Sequence, residues 1–275
     1  MNAARSAPMH LVWFHHAGGH GHSYRAMAAS LPASWRVSLI EYPGRGALAH
    51  LPALDNLCEL AASLLPQVEP LAQGPLAFFG HSMGAMVAHE VARQMLARRC
   101  PAPLWLGASG HRAPQHPRPA GERLHQLPDA LLVERLQRVG ALPAQAITAD
   151  YLNLMRTDLR ACETHHGAGS GAIEALPCAL STFAGDADPL ASPHDMLPWS
   201  RQVSGTVRHH VLPGGHFFLA GVRRRQVIDL IVQDIEHAQL IHSAPHSPLT
   251  HHATRTSSSH HARFSHRHLE DVDRR

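Results

Sequence analysis

Lysine is absent from this 275-residue chain: all 24 of its basic residues are arginine. That removes lysine Schiff bases and the lysine of a phosphate-binding P-loop. Cysteine is scarce. Cys58, Cys100, Cys162 and Cys178 stand far apart with no Cys-x-x-Cys spacing. This excludes a local zinc knuckle and a stapled extracellular scaffold, and suits free thiols in a reducing compartment. No run approaches eighteen consecutive apolar residues, so no membrane-spanning helix is expected. Met1 to Met9 lack the apolar stretch of a secretory signal, and the expected location is the cytoplasm. The net charge of +3 is too small to argue for nucleic acid. Against these absences, hydrophobic residues make up 44% of the chain, ample for a buried core and one large domain. Histidine is the oddity: 26 in all, nine of them between His237 and Arg275.

Short apolar runs bounded by turn residues alternate with stretches of helical period. His10–Phe14, Val37–Glu41, Pro75–Gly80, Leu104–Ser109, Cys178–Ala184 and Val207–Leu212 read as strands. Helices are expected over Tyr24–Ser30, Leu54–Val68, Gly84–Arg99, His194–Arg201 and Gly221–Gln239. That alternation is the signature of an α/β fold with a mainly parallel sheet. The rhythm breaks between Pro114 and Gly171, where two helical patterns, Asp129–Val139 and Ala149–Glu163, follow each other without a strand. A helical subdomain inserted at about residues 114–171 accounts for this. The domain is expected to span residues 1–243. Residues 244–275, rich in Ser, Thr, His and Arg, offer too little apolar surface to offset ordering and are expected to form a disordered tail.

Gly80-His81-Ser82-Met83-Gly84 is a Gly-x-Ser-x-Gly pentapeptide between a strand and a helix. That context makes it a nucleophile elbow, a turn tight enough to need small residues on both sides of the serine. Ser82 is then lifted out at the sheet's carboxyl edge, with a helix N-terminus favouring negative charge behind it. A serine hydroxyl needs a base, and in such folds the partners follow in the order Ser, acid, His. Pro213-Gly214-Gly215-His216-Phe217-Phe218, after the last strand, supplies His216, and its two Phe can wall off water. His209 and His210 lie within the strand and His194 opens a helix, so His216 stands alone in the expected place. Ala184-Gly185-Asp186-Ala187-Asp188-Pro189 offers two acids. Asp188 is favoured because the chain needs a few residues to turn towards the histidine loop; Asp186 is the alternative, as a turn former.

Two backbone N–H groups are needed for an oxyanion hole. Met83 follows the nucleophile, and Ala17 lies in the Gly-rich exit of the first strand, His16-Ala17-Gly18-Gly19. His15, His16, His20 and His22 raise a competing reading as a metal site. Alternation points His15 and His16 to opposite faces and no acidic residue is expected nearby, so no metal and no cofactor are expected.

Several segments beyond the elbow resemble the type II, or editing, thioesterases of nonribosomal peptide and polyketide synthesis. Phe14-His15-His16-Ala17-Gly18-Gly19 with Tyr24-Arg25 is similar to their F-P-H-A-G-G and Y-R, and Glu41 to Gly46 to Q-Y-P-G-R-E. Phe79 to Ala85 matches F-G-H-S-M-G-A, and Ser109 to Pro114 resembles S-G-R-R-A-P. Leu127-Pro128-Asp129, Arg156 to Glu163, Gly185 to Pro189 and Gly214 to Leu219 continue the likeness in order, from about residue 10 to 240. The resemblance implies an α/β-hydrolase fold with a mobile helical lid. It also implies removal of stalled acyl or aminoacyl groups from the phosphopantetheine arm of an acyl or peptidyl carrier protein, by a protein acting as a monomer. An acidic carrier would meet rim arginines, with Arg112, Arg118, Arg123 and Arg223 to Arg225 as candidates. The chain departs from the pattern at His15, where the family has Pro, and at Thr164-His165-His166, where an aromatic usually follows Glu-Thr. An esterase or lipase acting on oxygen esters, an acyltransferase, a non-catalytic binding module and a metal-buffering tail are the competing readings.

Overall fold

The computed structural model describes residues 7–116, 120–141, 147–165 and 174–243. The expected tail at 244–275, Arg118, His166 and the end of the helical insert at Gly171 lie outside the described residues. Six strands are seen among those described: β1 His10–Phe14, β2 Arg36–Leu39, β3 Leu76–His81, β4 Trp105–Ser109, β5 Ala179–Gly185 and β6 Val207–Leu212. They form one sheet in the order β2-β1-β3-β4-β5-β6, with every neighbouring pair parallel. The chain winds outward from β1 to β2, then crosses back to β3 and winds the other way. The reversal lies between the carboxyl ends of β1 and β3, where Phe14 pairs with Gly80. Open α/β sheets bind their ligands at such a switch point.

Side chains alternate along the strands and divide the core in two. Val12, Phe14, Phe78, Leu106 and Leu180 face α2 (Leu57–Val68) and α3 (Met83–Ala97), with Leu60, Leu64, Val87 and Val91 packed on them. Leu11, Trp13, Phe79, Trp105 and Phe183 face the other way. They meet Met27 of α1 (Arg25–Ala28) and Val227, Ile228, Ile231 and Ile235 of the C-terminal helix Arg224–Ser243.

Local chemistry moves some boundaries from the sequence expectation. The second helix begins at Leu57, not Leu54, because the Asn56 side chain accepts from the Cys58 and Glu59 amides and caps it there. The expected Tyr24–Ser30 helix is a 3-10 turn, Gly21–Tyr24, running into the single turn of α1. Between β4 and β5 stand α4 (Asp129–Arg138) and α5 (Ala149–Glu163), the two helices expected there. The expected His194–Arg201 helix is a short α6 (Pro193–Met196), capped by Ser192, followed by a 3-10 stretch to Gln202. The C-terminal helix, α7, runs four residues past Gln239.

Candidate active site

Strand β3 ends at His81, and α3 begins at Met83 with only Ser82 between them. So sharp a reversal holds Ser82 at φ +56° and ψ −124°, a conformation costing a non-glycine residue about 1–3 kcal/mol. Its flanking residues have no freedom to be larger. A Cβ on Gly80 would stand 2.0 Å from the Gly84 carbonyl oxygen, and one on Gly84 would stand 2.1 Å from that of Phe14. The Ser82 amide is anchored by donating to the Ser109 carbonyl at the end of β4 (2.7 Å).

The same carboxyl edge carries the loops after β5 and β6. His216 Nε2 lies 3.0 Å from Ser82 Oγ, and Nδ1 lies 2.8 Å from Asp188 Oδ2. Since a carboxylate can only accept, Nδ1 carries the hydrogen in the neutral ring and Nε2 turns its lone pair to the serine hydroxyl. Asp188 is buried, and its other oxygen accepts from the Leu190 amide (2.8 Å). Asp186, the alternative acid, points elsewhere: it accepts the Gly214 N–H (2.8 Å) and pins the histidine loop. Gly185 lets the two loops close, because a Cβ there would meet the Gly214 oxygen at 2.4 Å. The two phenylalanines part company. Phe217 stands edge-on to His216, 5.1 Å between ring centres, whereas Phe218 is buried in the core below.

Ala17 and Met83 line the cleft together with Ser82 and His216. Met83 is the first residue of α3, so its N–H has no acceptor within its own helix. The remaining wall comes from the segment between β4 and β5, including Leu124, Leu159, Cys162 and Glu163, with His165 just after α5. The cleft contains about 630 Å³ of empty space, part of it open to solvent.

Three features of the site were not foreseen. First, Arg45 forms a buried two-pronged ion pair with Asp158 of α5, at 2.6 and 2.7 Å, and Asp158 also accepts the Gly18 amide (2.8 Å). Both residues lie in segments already singled out, but nothing in either segment names its partner. Second, Glu163 accepts from the Leu124 amide and from both the amide and Nδ1 of His125, while Arg156 donates to the His125 and Leu127 carbonyls. These bonds hold the stretch before α4 against α5. Third, a set of uncharged histidines lies beneath the cleft. Burial holds His15 and His81 well below the usual histidine range, and burial with neighbouring His216 lowers His16 to about 4. His15 and His16 do face opposite ways, against Tyr42 and Tyr24 respectively. The expectation that no acid lies nearby is corrected: Glu41, just past β2, sits 3.6 Å from His15 and 3.8 Å from His20. Parallel pairing of β2 with β1 brings it there, which sequence distance hides.

A parallel sheet with a serine elbow at its switch point and acid and histidine loops after later strands defines an α/β-hydrolase. Comparison with known proteins narrows the class. A family model described as a thioesterase domain matches residues 9–235, and the chain belongs to that family as a thioester hydrolase. RedJ, a thioesterase of the prodiginine biosynthetic pathway in Streptomyces coelicolor, is 33% identical, with 83% of this chain and 86% of that one superposing at a TM-score of 0.75. YbtT, a type II thioesterase from the yersiniabactin NRPS/PKS biosynthetic pathway, is 29% identical over 86% and 97%, with a TM-score of 0.74. A Brevibacillus parabrevis protein named linear gramicidin dehydrogenase is 34% identical over 76% of this chain and 81% of its own length. That name belongs to another reaction class. Here α5 packs on the glycine-rich loop, where a Cβ on Gly18 would meet Met155 Cε at 2.4 Å.

Proposed function

We propose that this thioesterase hydrolyses acyl or aminoacyl thioesters on the phosphopantetheine arm of a carrier protein, through an acyl-Ser82 intermediate. The observation that carries the reading is the series Ser82–His216–Asp188, joined at 3.0 and 2.8 Å on a turn that exists only to present the serine. His216 Nε2 takes the hydroxyl proton as Ser82 attacks the thioester carbonyl. Asp188 holds the ring in the tautomer this requires and stabilises the imidazolium. The Ala17 and Met83 amides bind the developing oxyanion. A thiolate with a pKa of about 8.5 leaves readily, so protonation of the leaving group matters less than for an ester or amide. His216 then activates a water, which releases the acid and restores Ser82.

We take the helices between β4 and β5, within residues 114–171, as a lid, because their residues Leu124, Leu159 and Cys162 wall the cleft over Ser82. Its buried polar hold on the body is the Arg45–Asp158 pair and the bond from Gly18, with an exposed Arg160–Asp55 pair beside them. Exposed Arg224 and Arg225 open α7, and exposed Arg223 just before it shares a shallow groove with Gly214, Phe217 and Arg138 beside the histidine loop. This basic rim suits an acidic carrier domain; Arg112, which lines the cleft beside Asp195, and Arg123 extend it. Ser82, His216 and Asp188 come from one chain, so a protein acting as a monomer would carry the whole triad, and four free cysteines suit a cytoplasmic location. Among the described residues no helix is long and apolar enough to cross a membrane.

Intact-mass measurement of an acyl-loaded carrier domain tests the reading. The wild-type chain should return the carrier to its free-thiol mass, and Ser82→Ala should leave the acyl group in place. Equal loss with both proteins would refute the acyl-serine route, and faster turnover of a matched oxygen ester would favour an esterase.

A further inference from the structure

Beside the cleft, three buried nitrogen and oxygen atoms face one another without hydrogen-bond partners: His15 Nε2, His20 Nδ1 and Glu41 Oε1. His15 is fully buried, its ring stacked on Tyr42 with centres 3.7 Å apart. Its Nδ1 donates to the His16 carbonyl (2.9 Å), which leaves a lone pair on Nε2. That lone pair points towards the Glu41 carboxylate oxygen at 3.6 Å, and His20 Nδ1 approaches the same oxygen at 3.8 Å. For His15 and Glu41, acceptor faces acceptor, which is unfavourable unless something positive lies between them. His22 completes the group: donor atoms of His20, His22 and Glu41 all lie within 4.8 Å of one another.

The spacing suits a cation. Two ligands of a tetrahedral zinc ion, each at about 2.0–2.1 Å, stand roughly 3.3 Å apart. The bond from His15 Nδ1 to a backbone carbonyl is the outer hydrogen bond that metal-binding histidines make. Gly46 leaves room for the carboxylate, since a Cβ there would meet Glu41 Oε2 at 2.5 Å. The charge nearby that opposes a cation is Arg45, and Asp158 neutralises it through both carboxylate oxygens.

We propose that His20, His22 and Glu41, with His15 Nε2 at their inner edge, form a binding site for one divalent first-row transition-metal ion. Imidazole donors with a single carboxylate select zinc, cobalt or nickel over magnesium or calcium, which prefer all-oxygen shells. The ion would tie the end of β2 to the loop leaving β1. The position where the thioesterases carry Pro, and this chain carries His15, is the one that turns a nitrogen towards it.

Zinc titration of the chelator-stripped, full-length chain against a chromophoric competitor tests this. The nine histidines after residue 236 will contribute binding of their own, so the informative quantity is the difference between proteins. The paired variant His20→Ala/His22→Ala should lose one tight equivalent per chain. Glu41→Gln, and His22→Ala alone at an exposed position that cannot unfold the chain, should weaken that equivalent by about tenfold or more. Anomalous diffraction from a zinc-soaked crystal should show a peak between His20 and Glu41. Equal numbers of equivalents at equal affinity in wild type and the paired variant, or a peak only elsewhere, would overturn the proposal.

Discussion

Two buried aspartates, Asp188 in the loop after β5 and Asp234 on α7, are each paired with a histidine and lie in a cluster with a serine, and the two clusters are wired differently. At the carboxyl end the groups are in series: Ser82 meets His216, and His216 meets Asp188. On the face covered by α7 they are in parallel. His210 Nε2 and Ser181 Oγ both donate to Asp234 Oδ2 at 2.6 Å, while Arg208 donates to Oδ1 at 2.8 Å. Burial alone would raise the Asp234 carboxyl, but these donors outweigh it and hold it below the ordinary value. The serine there hands its proton towards the acid directly, so no imidazole lone pair is left to activate it. Residue types alone do not distinguish a relay from a staple; the order of connection does.

The largest effect should come from breaking the series arrangement. Ser82→Ala and Asp188→Asn are each expected to lower kcat on an acyl thioester by about 10⁴-fold, the second by holding His216 in the wrong tautomer. Far-UV circular dichroism should be unchanged in both. The opposite pattern is expected of Asp234→Asn. It weakens three hydrogen bonds to a buried carboxylate, while the part-exposed Arg208 keeps its water, and costs about 1–2 kcal/mol in urea unfolding, while kcat stays within twofold. A large loss of kcat in Asp234→Asn, with its fold intact, would mean the two clusters are not separate.

Acid should expose the same contrast through stability. Burial holds His15 and His81 well below 6.5, lowers His16 to about 4 and lowers His89, on the α3 side, to about 3. The unfolded chain binds protons at these groups below pH 6.5 and the folded chain does not, so folding loses stability as pH falls. Their contribution is whole above pH 6.5 and drains away towards pH 4, amounting to several kcal/mol on the order of magnitude set by about 1.4 kcal/mol per unit. Asp234 is depressed below 3.8, so its contribution is lost only under still more acid conditions. The urea midpoint should therefore fall steadily between pH 6.5 and 4.5. A flat midpoint across that window would contradict neutral burial of these rings.

What could be read from the sequence was what neighbours enforce. Gly80 and Gly84 flank Ser82 within five residues, and the unbroken apolar run Leu11–Phe14 is what a strand buried on both faces requires. Arg45 and Asp158 are 113 residues apart, and only the fold makes them a pair. The approach of Glu41 to the histidine loop depends on how β2 registers against β1. The closeness of α5 to Gly18 depends likewise on packing that no local period reports. The choice between Asp186 and Asp188 sat between these cases: the turn was visible, but which carboxylate reached inward depended on where Gly185 and Gly214 touch.

That choice yields the smallest and most discriminating comparison. Asp186 accepts one amide hydrogen, from Gly214, at an exposed position. In Asp186→Asn the side-chain oxygen can still accept it, as a neutral acceptor forming a weaker bond. The histidine loop also keeps its Asp188 bond and its anchor through buried Phe218. At most about 1 kcal/mol of loop positioning is at stake, so kcat should fall by no more than about fivefold. Steady-state hydrolysis of the same acyl thioester by Asp186→Asn and Asp188→Asn, measured side by side, separates a carboxylate that shapes the loop from one that serves the imidazole. Comparable losses in the two variants would mean that the position of the loop, and not the Asp188 charge, limits the reaction.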